Sequence, residues 1–330
     1  MAKPAKRKQA PEFEGPNGPL KLFAGNSNPV LAKKIARKLG TRLGNLELRT
    51  FSDGEIFVKI CENVRGDDVF IVKSLAPRPN HNLMELLIMI DAARRASARR
   101  ITAVLPYFCY ARQDRKDQPR VSIGAKLVAN LITQAGADRV LCMDLHVGQI
   151  QGFFDIPMDH LFAAPVMLKV IRRLKLKNFT VVSPDTGSLK RSRAYAKQLD
   201  APLAFIDKRR PAPNVAEVCR IIGEVENRDA MIVDDMVDTA GTLTEAARAL
   251  KAAGARRIFA CATHAVFSGP AIERIEKSCF DRVIVTDTIP LGDKACDKIQ
   301  VVSVGELLAD CIQRIHEETT VSTLFVRTQY

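Results

Sequence analysis

The sequence predicts an α/β protein of two tandem domains, each a mainly parallel sheet flanked by helices. Three observations carry that expectation. Short β-branched runs alternate with helical patterns along nearly the whole chain, the signature of βαβ units. A helix–Gly–strand block recurs at an offset of 118 residues, Ala125–His146 against Leu243–His264. In it Ala129/Ala247, Ala135/Ala253, Gly136/Gly254, Ala137/Ala255, Arg139/Arg257 and His146/His264 coincide. Finally, an apolar strand, Ala230–Val233, runs into two adjacent acids, Asp234 and Asp235, then a short loop and a helix.

Taken in order, residues 1–19 hold four Pro, two Gly and few apolar groups, which predicts a flexible basic extension with structure starting near Leu20. Strands are then expected at Lys21–Ala24, Leu46–Thr50, Ile56–Ile60, Val69–Lys73, Ile101–Leu105 and Val140–Met143 in the first half. The second half offers Thr180–Ser183, Leu203–Ile206, Ala230–Val233, Ile258–Ala262, Val283–Val285 and Gln300–Val302. Helices fall between them at Pro29–Leu39, Asn82–Arg95, Ile123–Gln134, Leu189–Gln198, Thr242–Ala252, Gly269–Lys277 and Val304–Ile315. Gly136 and Gly254 stand where their helices end, a position that favours a residue tolerating positive φ. The repeat places a domain boundary near Ala163–Pro165, giving domains 20–163 and 164–318, with the apolar, hydroxyl-rich 319–326 returning to the first.

A chain of 330 residues with 47% apolar and 26% charged residues is ordinary for a globular protein with a sizeable core. No apolar run approaches the ~20 residues of a membrane span, and the N-terminus lacks the apolar stretch of a secretory signal. The eight cysteines are scattered without a Cys-x-x-Cys, which predicts reduced thiols in a cytoplasmic protein. A net charge of +13 suits nucleic acid, but four Tyr and no Trp leave no stacking platform beside a basic stripe. Phosphorylated small molecules are the better match for that charge.

Phosphate chemistry here must rest on loops other than a P-loop or a Gly-x-Gly-x-x-Gly turn, since neither motif occurs. The stretch Asp238-Thr239-Ala240-Gly241-Thr242 puts small and hydroxyl residues at a helix start, where free N–H groups hold a phosphate. The carboxylates of Asp234 and Asp235, at the carboxyl end of a strand, suit sugar hydroxyls, so the segment reads as a ribose-5-phosphate cradle. In Tyr107–Arg120, Arg112 and Lys116 suit phosphates and Gln113 a nucleobase edge, unless the loop is a solvated one. His146 ends a strand as either a metal ligand or a structural histidine. Asp185, after another strand, is either a Mg²⁺ ligand or an N-cap. Lys208, Arg209 and Arg210 form a cationic run beside two prolines, fit for an anion or for solvent.

These segments occur together and in order. Phe51-Ser-Asp53-Gly-Glu55, Ala111–Lys116, Asp144-Leu-His146, Gln149–Pro157, Ser183-Pro-Asp185, Asp207–Arg210 and Asp234–Thr242 resemble the ribose-phosphate diphosphokinase family, over about Leu20 to Phe325. The resemblance is to its phosphate-activated, Mg²⁺- and ATP-dependent class. It implies two phosphoribosyltransferase-type domains and a hexamer, with ATP between the domains. It further implies that the diphosphoryl group of ATP passes to the anomeric hydroxyl of ribose 5-phosphate, supplying nucleotide, histidine and tryptophan biosynthesis. By resemblance Phe51, Asp53, Glu55, Arg112, Gln113, Asp117 and His146 meet ATP, and His146 and Asp185 the Mg²⁺. Asp234 and Asp235 take the ribose hydroxyls, Asp238 to Thr242 the 5-phosphate, and Lys208 and Arg210 the transferring group. Arg65, Ser322 and Phe325 match the family's regulatory anion site, with inorganic phosphate as activator. Ser188 stands where a second Gly is common, Gly148 where some relatives carry Ser, and Thr323 where a Tyr is usual. The alternative is a non-catalytic regulatory subunit; such chains usually interrupt the catalytic loop or lose metal ligands, and His146, Asp185, Lys208 and Arg210 are all present.

Overall fold

The computed structural model describes residues 14–16, 18–176, 178–209 and 218–324, without the side chains of 14, 15, 208, 209, 218 and 219. The chain forms two compact units. The first comprises 1–142, 147–160 and 305–323; the second comprises 143–146, 161–304 and 324–330.

In the first unit, β1 (Glu14–Gly15), β2 (Gly18–Ala24), α1 (Pro29–Lys38), β3 (Leu46–Thr50), β4 (Ile56–Ile60) and β5 (Asp68–Val72) come first. Then follow α2 (Pro79–Arg95), β6 (Arg100–Leu105), α3 (Gly124–Ala135), β7 (Arg139–Met143) and β8 (Met158–Leu161). The sheet order is β1-β2-β5-β6-β7-β8. The β2–β5, β5–β6 and β6–β7 pairs are parallel. Every residue of β5 is buried, as expected of a parallel strand covered on both faces. β3 and β4 lie outside this sheet as their own antiparallel hairpin.

The second unit begins with α4 (Ala164–Arg173), β9 (Phe179–Ser183), α5 (Leu189–Leu199), β10 (Leu203–Arg209) and β11 (Val218–Ile222). It continues through β12 (Asp229–Val237), α6 (Gly241–Ala252), β13 (Ile258–Ala265), α7 (Ala271–Glu276), β14 (Arg282–Thr286) and β15 (Ile299–Val302). Its sheet order is β11-β10-β9-β12-β13-β14-β15, with β11 antiparallel at one edge and the other pairs parallel. The repeated block is seen directly: α3–Gly136–β7 and α6–Gly254–β13 share one plan, and both glycines have positive φ, 112° and 84°. Among the described residues no helix is long and apolar enough to cross a membrane.

Several expectations need correction. Order begins before Leu20, because Glu14 and Gly15 pair with Pro19 and Gly18. Gly18 makes this possible: its φ is +79°, and a Cβ there would stand 2.4 Å from the Gly66 carbonyl oxygen. β8, β11 and α4 were not expected, and residues 148–153 form a 3-10 turn. The returning segment begins earlier than 319 and ends at 323, since α8 (Gly305–His316) also belongs to the first unit and Leu324 to the second. The reason is a buried charge network. Asp68 accepts bidentately from Arg100 at 2.9 and 2.6 Å and meets His316 Nδ1 at 2.9 Å, while Arg100 also donates to the Ile315 carbonyl. Removing one member of such a buried pair leaves the others uncompensated, at a cost of about 3–5 kcal/mol. Asp68→Ala is therefore expected to lose about 3–5 kcal/mol in denaturant unfolding, while Asp91→Ala, at an exposed i,i+4 pair with Arg95, changes stability little.

Candidate active site

The centre of the site lies on β12, which continues through both acids to Val237 instead of ending at Val233. Hydrogen bonding to β13 extends it: Asp234 faces Ala262 and Met236 faces His264 in register. Asp235 is buried and Asp234 partly so. Asp235 Oδ2 lies 2.7 Å from His146 Nδ1, and its Oδ1 lies 3.5 Å from Arg191 Nη1. Asp234 Oδ1 accepts from the Ser188 hydroxyl at 2.7 Å and from the Asp235 N–H at 2.9 Å, with Arg191 Nη1 at 3.8 Å. Burial, and then the neighbouring charge of Asp235, raises the pKa of Asp234. Burial acts on Asp235 in the same sense, but the hydrogen bond from His146 and the charge of Arg191 outweigh it and hold Asp235 low. Two adjacent carboxylates with their affinities for protons driven apart are a common mark of a functional site.

His146 reaches Asp235 because the 143–146 segment is anchored to the second unit. Asp144, buried and at φ +39°, accepts from the Ala163 N–H at 2.8 Å and from the Thr263 hydroxyl at 2.7 Å. His264 Nε2 meets the Asp144 carbonyl at 3.0 Å while its Nδ1 meets the Thr288 hydroxyl at 2.9 Å. The repeat thus gives two histidines different fates: His264 is buried in a structural network and His146, its side chain 37% exposed, stands beside the acids. His146 Nδ1 thus lies against the Asp235 carboxylate, a carboxylate–histidine pairing that fixes the orientation of the ring.

The predicted phosphate loop leads from β12 into α6. Ala240 takes a left-handed conformation, φ 58°, and starts the helix with no side-chain cap. Thr244 N–H makes the first helical bond, to the Ala240 carbonyl. The N–H groups of Gly241, Thr242 and Leu243 are therefore left for an anion. The outside of the loop is pinned by Arg274, which donates to the Thr239 carbonyl at 2.9 Å, and by the Ser268 N–H on the Asp238 carbonyl at 2.9 Å. Asp185 is half-buried after β9, and its Oδ1 accepts from the Ser188 N–H at 2.8 Å, so it caps the turn before α5. That leaves Oδ2 as a hard oxygen donor. A partly exposed carboxylate and an oriented imidazole fit Mg²⁺ that is otherwise held by water and substrate phosphates. No group of three or more His, Cys, Asp or Glu able to hold a metal occurs among the described residues.

The cationic run also needs correction. β10 extends past Ile206 to Arg209, with Lys208 opposite Cys219 of β11, because the antiparallel edge strand continues its hydrogen bonding. Lys208 is thus on a strand and not in a loop after one; its side chain and all of Arg210 lie outside the described residues.

The remaining predicted residues, Phe325 apart, are in the first unit. Phe51, Asp53 and Glu55 form the exposed turn of the β3–β4 hairpin, closed by Phe51 N–H to the Glu55 carbonyl at 2.8 Å and Glu55 N–H to Asp53 Oδ1 at 3.0 Å. Phe51 meets Phe57 edge-on at 5.9 Å, and the Arg49 guanidinium lies over both rings. Arg112, Gln113 and Asp117 are exposed in the segment after β6. Gln113 is held there by its N–H to the Tyr110 carbonyl, and its side chain fills the space a Cβ on Gly124 would need. Arg65 and Ser322 are both exposed and share no hydrogen bond; Phe325 lies outside the described residues.

Sequence reasoning missed Arg191 and the anchor formed by Asp144, Thr263 and His264. Arg191 sits in the first turn of α5, on the side turned to β12, with a side chain only 13% exposed. A cation three residues after Ser188, the residue that precedes α5, was a faint signal; only the fold shows it facing two acids.

The family model described as the N-terminal domain of ribose phosphate pyrophosphokinase matches residues 20–136, and that described as the phosphoribosyl synthetase-associated domain matches residues 208–326. A ribose-phosphate pyrophosphokinase of Caldanaerobacter subterraneus subsp. tengcongensis is 58% identical over 308 residues, 93% of this chain and 98% of the relative. That of Synechocystis sp. is 55% identical over 94% of this chain and 93% of its own. The crystal structure of phosphoribosylpyrophosphate synthetase from Mycobacterium smegmatis superposes with a TM-score of 0.86 at 42% identity, covering 91% of this chain and 99% of that one. The chain belongs to the ribose-phosphate pyrophosphokinase family.

Proposed function

We propose that this enzyme transfers the diphosphoryl group of Mg-ATP to the anomeric hydroxyl of D-ribose 5-phosphate, forming 5-phospho-α-D-ribose 1-diphosphate and AMP. The observation that carries this reading is the paired acids of β12 leading into the uncapped start of α6, in a chain more than half identical to pyrophosphokinases over nearly its full length. The acid pair Asp234 and Asp235 forms the ribose end of the site, and residues Asp238 to Thr242 receive the 5-phosphate on the N–H groups that start α6. Phe51, Asp53 and Glu55 of the hairpin and Arg112, Gln113 and Asp117 of the segment after β6 are assigned to ATP. His146 and Asp185 would hold Mg²⁺, whose charge offsets that of the phosphates during transfer. Lys208 and Arg210 offset the charge that develops on the transferring group. With the sugar hydroxyl aligned on the β-phosphorus, alignment and cationic charge supply most of the rate.

A homohexamer, inorganic phosphate as activator through Arg65, Ser322 and Phe325, and a cytoplasmic setting complete the proposal. Free thiols at Cys109, Cys142, Cys261 and Cys311, all buried, suit a reducing compartment. The regulatory-subunit alternative has no observation in its favour. Incubation with ATP, Mg²⁺ and ribose 5-phosphate is expected to release AMP and phosphoribosyl diphosphate in equal amounts. Release of ADP as the stoichiometric product would refute the reading, because it means attack at the γ-phosphorus.

A further inference from the structure

We infer that Ser188 is a positioning residue for ribose 5-phosphate: its hydroxyl fixes Asp234 so that one carboxylate oxygen is presented to a sugar hydroxyl. The inference rests on the proposed substrate site and goes beyond it by dividing the work of the two acids.

The two carboxylates are not equivalent. Both oxygens of Asp235 are engaged, Oδ2 by His146 and Oδ1 by Arg191. Asp234 gives Oδ1 to the Ser188 hydroxyl and the Asp235 N–H, with Arg191 at the edge of ion-pair range. Among the described residues no N–H or hydroxyl donates to Asp234 Oδ2, and the Asp235 carboxyl lies within hydrogen-bonding reach of the Asp234 carboxyl. The open acceptor of the pair is therefore Asp234 Oδ2, while Asp235 acts on His146 and Arg191.

Ser188 is well placed to hold that geometry. It is 7% exposed, and its φ of −85° is comfortable for any side chain, so glycine is not required there. Its N–H bonds Asp185 Oδ1 at 2.8 Å and its carbonyl accepts from the Ser192 N–H at 3.0 Å. The hydroxyl thus projects from a fixed turn and ties the end of β9 to β12. A glycine in the same place would keep the backbone bonds and lose the donor to Asp234. A carboxylate free to rotate must be ordered when the sugar arrives, and that cost falls on binding.

The test is steady-state kinetics of Ser188→Ala, Ser188→Gly and Ser188→Thr, read as AMP release. Ordering one freed side chain on binding predicts a KM for ribose 5-phosphate about two- to tenfold higher in the Ala and Gly variants. The KM for ATP and kcat should stay within about twofold, and Ser188→Thr, which keeps the hydroxyl, should restore most of the loss. An unchanged KM for ribose 5-phosphate in either Ala or Gly overturns the inference. So does a parallel rise in both KM values with a lower Tm and no rescue by Thr, which marks a merely structural bond. Wild-type enzyme that makes no AMP would instead remove the proposed function, and this inference with it.

Discussion

Lys208→Ala is expected to bind Mg-ATP almost normally and to turn over at least about a hundredfold more slowly. The loss of one preorganised contact to charge that develops in the transition state typically costs ~3–4 kcal/mol. An interaction made mainly at that stage lowers kcat and spares ground-state binding. The backbone supports a fixed placement, because Lys208 is hydrogen-bonded within β10 opposite Cys219. Lys208→Arg should recover only part of the rate, since a planar fork does not replace a compact ammonium. Arg209→Ala, at the neighbouring cation of the run, serves as the control and should matter much less. Single-turnover rates and equilibrium ATP binding measured on all three variants decide the matter. A near-native kcat for Lys208→Ala would reduce the run to charged surface.

Asp235→Ala is expected to damage both substrates' use, unlike Asp234→Ala. The two acids keep different company: Asp235 meets His146 and Arg191, and Asp234 meets Ser188. Truncating Asp235 removes the carboxylate from His146 Nδ1 and leaves Arg191 Nη1 with Asp234 Oδ1 at 3.8 Å. Loss of an orienting carboxylate behind a histidine typically costs about 10–100-fold in activity or metal affinity. Asp235→Ala should lose activity on that scale, with the Mg²⁺ concentration needed for half-maximal rate rising. Asp234→Ala should raise the KM for ribose 5-phosphate and leave the Mg²⁺ requirement unchanged. Magnesium titrations of both variants, run beside substrate titrations, test this. If Asp235→Ala alters only the ribose 5-phosphate KM, Asp235 is a sugar ligand and the division of roles fails.

Much of the fold was legible because its signals are local. Parallel strands buried on both faces must be written as continuous apolar runs, and the chain writes them at β5, β12 and β13. Helix ends at Gly136 and Gly254 are marked by the one residue that takes positive φ without strain. The β8 and β11 strands were not legible. Both are sheet-edge strands whose pairing is supplied by a neighbour and not by their own pattern. The place of α8 was equally hidden, because it depends on Asp68, Arg100 and His316 meeting across more than 200 residues.

The sequence by itself determined the α/β class, the duplicated helix–Gly–strand plan, the acid pair and the loop that starts α6. Each is set by residue type and spacing within one stretch of chain. Only the tertiary structure decided which acid is open to a ligand. That depends on Ser188, Arg191 and His146 being carried to β12 from separate segments, and a hydrogen bond's partner is fixed by distance and direction, which no single stretch of sequence encodes.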